Sequence, residues 1–115
     1  MAVEKNALSG STAMLILKLL EDEDMYGYQI IDELSQRSRN VFELKTGTLY
    51  PLLHRLENDG MVISYDENAD NLRVRKYYRL TDKGRGQLAQ KQSEWTAYTK
   101  AVNLVMRGGG RYAFG

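Results

Sequence analysis

At 115 residues the chain has room for one domain plus one long accessory helix. Its 27% charged and 43% hydrophobic residues are those of a globular domain, which excludes a disordered or fibrous chain. The absence of cysteine excludes disulfide frameworks, thiolate zinc sites and cysteine nucleophiles, and fits a reducing compartment. A domain this small buries a modest core, so association with a second copy would help to stabilise it. The longest apolar run, Ala13 to Leu20, is interrupted by Lys18 and is far too short to span a bilayer. The opening MAVEKNALSG lacks the basic and apolar regions of a signal peptide, so the expected location is cytoplasmic, without a membrane partner.

Met1 to Ala7 read as a loose arm. A first helix is predicted from Ser9 or Ser11, either of which can cap, through AMLILKLL, with Met14, Leu17 and Leu20 on one apolar face. The run Glu21 to Asp24 (EDED) ends it as an exposed connection. A second helix is expected over Tyr26 to Ser38, with Ile30, Ile31 and Leu34 on one face and Arg37 and Arg39 near its end, where the dipole favours cations. After the link Asn40 to Leu44 comes the clearest pattern. Leu49, Leu52, Leu53 and Leu56 fall at i, i+3, i+4 and i+7, a complete core-facing stripe, and Gly60 stands where a left-handed cap belongs. Pro51 is tolerable in the first turn, which places the helix start near Thr48 with Thr46 or Thr48 as cap.

Two runs of strand character follow, Met61 to Asp66 and Arg73 to Leu80, joined by the polar stretch Glu67 to Asn71. In the second run Lys76, Tyr78 and Leu80 alternate with Arg75, Tyr77 and Arg79, so one face packs on the helices while the other carries arginines. Thr81 and Asp82 then cap a long helix. Leu88, Trp95 and Val102 recur every seven residues, each followed within the same face by Gln92, by Tyr98 or Thr99, and by Val105 or Met106, a seam suited to a partner helix. The tail from Gly108 to Gly115 is glycine-rich and expected to be flexible. The fold class is α+β and mostly helical: a winged helix-turn-helix over residues 1–80, a dimerisation helix over 81–107, and the tail over 108–115.

Nothing here supports catalysis. His54 is the only histidine, it lies on the polar side of the third helix, and no nucleophile, metal cluster or phosphate-cradling loop accompanies it. No cofactor or metal is expected.

A nucleic-acid reading has more support. Net charge is only +1, yet Leu72 to Gly86 holds six basic residues against the single acid Asp82. Such a patch is either a phosphate-contacting surface or a solvated polar face. With its leucines inward, the third helix turns Gly47, Pro51, His54 and Asn58 outward, flanked by Thr48, Tyr50 and Arg55. A helix fits the major groove, with Thr46, Thr48 and Tyr50 placed to meet phosphates and Lys45 and Arg55 supplying charge. The alternative is an ordinary amphipathic helix. Arg73, Arg75, Lys76 and Arg79 on a short ribbon suit a wing over the DNA backbone, although Asp66, Glu67 and Asp70 on the same hairpin oppose it. A winged helix serving only as a protein-interaction module remains the other reading, and a basic wing speaks against it.

The segments GTLYPLLHRLENDGMV (Gly47 to Val62), RKYYRLTDKG (Arg75 to Gly84) and MYGYQIIDEL (Met25 to Leu34) strongly resemble the PadR family of bacterial transcription regulators. The likeness extends over roughly residues 8–106. It implies a homodimeric winged helix whose third helix enters the major groove of double-stranded DNA through Lys45, Thr46, Thr48, Tyr50, Pro51 and His54; repression is expected, since a bare dimer on a promoter blocks polymerase. Arg73, Arg75 and Lys76 are implied for the wing, and the C-terminal helix exchanges contacts with the partner. The short C-terminal region resembles the compact branch, some members of which bind planar aromatic or phenolic compounds between these helices. Trp95, with Tyr98 and Leu88, is then either the lining of an effector slot or, with Val102 and Val105, simple packing of the dimer seam.

Overall fold

The computed structural model describes residues 5–68 and 73–108, the first six of them as backbone only. Helix α1 spans Lys5–Asp22, strand β1 Met25–Tyr26, helix α2 Gly27–Arg37, helix α3 Thr46–Asn58, strand β2 Val62–Asn68, strand β3 Val74–Leu80 and helix α4 Asp82–Arg107. The strands form one antiparallel sheet in the order β1-β3-β2.

Helix α1 is the hub of the core. Ile16, Leu17, Leu19 and Leu20 are buried around it, and it packs against α2, β3 and α4. It starts at Lys5, not at Ser9 or Ser11, because the good helix formers Lys, Ala and Leu carry the helix upstream of both serines. The expected arm is therefore helical from Lys5 to Ala7, and its remainder lies outside the described residues.

Helix α2 buries Ile30 and Leu34 as the periodicity predicts. Tyr26 is not in it. This residue pairs with Tyr77, and Met25 with Tyr78, to make the two-residue strand β1. So short a strand carries no period of its own, and only the neighbouring hairpin edge reveals it. The helix ends at Arg37, after which Arg39 and Asn40 adopt left-handed conformations with φ of 52° and 65°. There the Ser35 hydroxyl donates to Asn40 Oδ1 at 2.7 Å.

In α3, Leu49, Leu53 and Leu56 are buried and Leu52 packs against the core, so the leucine stripe faces inward as expected. Lys45, and neither threonine, occupies the N-cap; its carbonyl accepts from Thr48 N at 3.0 Å and Leu49 N at 2.9 Å. Pro51 thus sits in the second turn, two residues deeper than predicted, where it leaves the Gly47 carbonyl without its usual helical donor. Gly60, with φ of 75°, closes the helix: its amide donates to Glu57 O at 3.0 Å and the Met61 amide to Leu56 O at 2.9 Å. This is the expected left-handed cap, which turns the chain into β2.

Strands β2 and β3 pair from Val62 opposite Leu80 to Asn68 opposite Val74. Glu67 and Asn68, expected in the connection, extend β2, and the rest of that connection lies outside the described residues. Tyr78 and Leu80 are buried on the face toward the helices, while Arg75, Tyr77 and Arg79 point the other way.

Thr81 caps α4 by accepting from Gly84 N at 3.0 Å and donates its own hydroxyl to Gly60 O at 2.7 Å. A side chain at residue 84 would collide with the Met61 carbonyl and with Leu80 Cδ1. Glycine there lets the first turn of α4 close onto the strand. Leu88 is fully buried in the same core, and no later residue of α4 is. The helix, about 39 Å long at 1.5 Å per residue, therefore projects from the core, and with it the structure extends over 70 × 29 × 21 Å. The expected flexible tail lies, apart from Gly108, outside the described residues.

Candidate nucleic-acid interface

Helix α3 carries Lys45 at its cap and Thr46, Thr48, Tyr50, Pro51, His54 and Arg55 along one exposed face. The buried leucines dictate this: once they enter the core, these side chains have only solvent to face. Tyr50 is the exception in detail. It is 36% exposed, and its ring lies against Gly27 at the start of α2. A Cβ at residue 27 would strike the Tyr50 hydroxyl and come within 2.7 Å of Cζ.

Across from Tyr50 stands the wing. Tyr26, Gly27, Tyr28, Tyr50 and the stretch Arg73–Lys76 surround a cleft of about 460 Å³. Three cations and three phenols meet there without a carboxylate in the lining. The Arg75 guanidinium rests 4.5 Å above the Tyr26 ring, which holds it at the cleft wall. Among the described residues, Arg73, Arg75 and Lys76 form no ion pair, although Glu67 and Asp66 stand opposite Arg75 and Lys76 in the ladder. Cations without an ion pair, beside phenolic hydroxyls, suit phosphate oxygens.

Of the sequence-predicted residues, the cleft brings together Tyr50, Arg73, Arg75 and Lys76. Lys45, Thr46, Thr48, Pro51, His54 and Arg55 lie outside it, along the open face of α3. Tyr26, Gly27 and Tyr28 were missed. Their signal in the sequence is a glycine between two tyrosines at the start of a helix.

The fourth wing cation, Arg79, is engaged in an ion pair. Arg79 Nε and Nη2 both donate to Asp24 Oδ2 at 3.0 Å, and the Tyr65 hydroxyl donates to the same oxygen at 2.6 Å. The partner that orients a wing arginine is thus Asp24, from the acidic run, rather than an acid of the hairpin. The bond to Asp24 raises the Tyr65 phenol above its ordinary value, and burial does the same for Tyr78.

On α4, Trp95 and Tyr98 stack with centroids 5.9 Å apart and planes inclined by 29°. Trp95 is 47% exposed, Tyr98 62%, and Val102 and Val105 continue the same open stripe. Leu88 does not belong to it. It was expected at both the dimer seam and the effector slot, but it packs inside its own chain's core, because α1 crosses α4 at that level. Among the described residues, no group of three metal-ligating side chains exists, and no helix is long and apolar enough to cross a membrane.

Three helices, a basic two-stranded wing and a projecting fourth helix define the chain as a winged-helix protein. The profile of the transcriptional regulator PadR-like family matches residues 16–90, and the chain belongs to that family. A transcriptional regulator of Mycobacterium tuberculosis is 40% identical over 75 residues, 65% of this chain and 66% of that protein. The structure of a transcriptional regulator from Clostridium thermocellum, 32% identical, superposes with a TM-score of 0.79 over 86% of this chain and 96% of its own. A PadR-like transcriptional regulator from Bacillus cereus, 28% identical, gives 0.80 over 91% of this chain and 100% of its own. The family comprises transcriptional regulators and not enzymes.

Proposed function

We propose that the chain is a homodimeric repressor that binds a pseudo-palindromic site in double-stranded DNA. One observation carries the reading: Tyr50 of α3 and the unpaired cations Arg73, Arg75 and Lys76 of the wing face one another across a carboxylate-free cleft. In this reading α3 lies in the major groove, with Thr46, Thr48 and His54 toward the bases and phosphates and Lys45 and Arg55 at the flanks. The wing follows the backbone beside it, and a phosphate occupies the cleft.

The open stripe of Trp95, Tyr98, Val102 and Val105 supports the dimer, since a projecting helix with exposed aromatic and aliphatic side chains is costly in water. A two-fold pair would present the two α3 helices about one turn of DNA apart, roughly 34 Å, or a multiple of that. Such a dimer on a promoter excludes polymerase without any activating surface, hence repression, in the cytoplasm where the DNA is. The stacked Trp95–Tyr98 pair supports release by a planar aromatic or phenolic effector, which would favour one orientation of the two heads over the other.

The test is DNA affinity measured on fragments of the native genome across a salt series. The reading expects a steep linear fall of log affinity with log salt, and one dimer per site. Salt-independent or absent binding would refute it. Trp95 is the sole tryptophan, so quenching of its fluorescence by planar compounds tests the effector, and silence across a varied panel removes it.

A further inference from the structure

Asp24 ends the acidic run and stands immediately before β1. Its three neighbours in that run bind residues of α1 and α2: Glu21 with Lys18 at 2.7 Å, Asp22 with Arg37 at 2.8 Å, and Glu23 accepting from Gln29 at 3.4 Å. Asp24 instead reaches the wing. Its Oδ2 accepts from Tyr65 on β2 and twice from Arg79 on β3, residues 41 and 55 positions away. One carboxylate therefore fastens both strands of the wing to the segment that leads into α2. The backbone does little of this, because β1 contributes just two residue pairs to the sheet.

From Asp24 a continuous row crosses the outer face of the sheet. Arg79 lies 5.1 Å over the Tyr65 ring, Tyr65 stacks on Tyr77 at 5.8 Å, Tyr77 meets Tyr26 edge-on at 5.5 Å, and Arg75 covers Tyr26 at 4.5 Å. The row ends at the wall of the cleft. Ion pairs as accessible as Arg79–Asp24 add little to stability, so what this one supplies is geometry: a fixed angle between wing and helices.

We propose that Asp24 is a positioning residue for the wing: through Arg79 and Tyr65 it sets the distance of Arg73, Arg75 and Lys76 from α3, without itself touching DNA. The same bonds withhold Arg79 from the phosphates. The inference rests on the DNA-binding reading for its functional consequence, but not for its geometry.

Two measurements test it. The chain has no cysteine, so spin labels at Asn68→Cys and Gln36→Cys, in dimers diluted with unlabelled chain, report the wing-to-α2 distance without DNA. A narrow distribution is expected for the otherwise unaltered chain, and a broadened or shifted one for D24N and, more mildly, for Y65F, which keeps the ring. An unchanged distribution in both variants would overturn the proposal. The second measurement is DNA affinity. D24N is expected to bind about tenfold more weakly, the effect of a supporting shell left loose. Adding R79Q to D24N should cost nothing further, since Arg79 acts through Asp24. Additive losses would make Arg79 a direct phosphate contact and overturn the proposal. Should the unaltered protein bind no DNA, the DNA reading fails, and the label distances still decide whether Asp24 sets the wing.

Discussion

The phenol of Tyr50, on α3, occupies the space in which any side chain on residue 27 of α2 would sit. The contact links the start of α2 to the second turn of α3, with Tyr50 lining the cleft beside the wing. Gly27→Ala should therefore displace Tyr50 and cost about 1–3 kcal/mol, the usual range for overpacking. DNA affinity should fall with it. Combining it with Tyr50→Ala should restore stability but not affinity, which urea unfolding and DNA titration together would show.

Gly84 makes a second close approach, against the Met61 carbonyl, and here the obstacle is backbone that cannot rotate away. Gly84→Ala should be more damaging than Gly86→Ala, since a Cβ at residue 86 meets nothing within 4 Å. The expected difference is at least 1–3 kcal/mol in unfolding free energy, and equal stability of the two variants would contradict the packing described.

Leu88 and Val105 share a helix but not a role. Leu88→Ala should lower the stability of each chain by about 2–5 kcal/mol, as for other buried leucines. Val105→Asp should leave the wing and core intact, and sedimentation should show the proposed dimer dissociating.

The wing cations have a separable contribution. Replacing Arg75 or Lys76 with glutamine should weaken binding to all DNA sequences alike. Each loss should reduce the slope of log affinity against log salt by about 1. An unchanged slope would remove that side chain from the phosphate contacts.

Tyr65 and Tyr78 predict an alkaline limit to stability. A bond to Asp24 raises the first phenol above its ordinary value of 10.0, and burial raises the second. A group whose folded value is raised stabilises fully below the unfolded value, and that contribution is lost as pH rises through the folded one. The urea midpoint should thus fall above pH 10, and Tyr65→Phe should make the fall shallower.

Much of this molecule is local pattern. The leucines from Leu49 to Leu56 turn Thr48, Tyr50 and His54 outward whatever surrounds them, because a 3.6-residue period divides the helix into an inner and an outer face. Alternation in β3 likewise separates Tyr78 and Leu80 from Arg75 and Arg79, and the Gly60 cap follows from glycine's tolerance of positive φ. Those features were decided by the sequence alone, and with them the winged-helix order and the basic wing. Others depend on partners far along the chain. Strand β1 exists only because β3 lies beside it; Arg79 belongs to Asp24 across 55 positions; and Leu88, in step with Trp95 and Val102, is core because α1 crosses there. Periodicity reports which residues share a face, and only packing determines what that face meets.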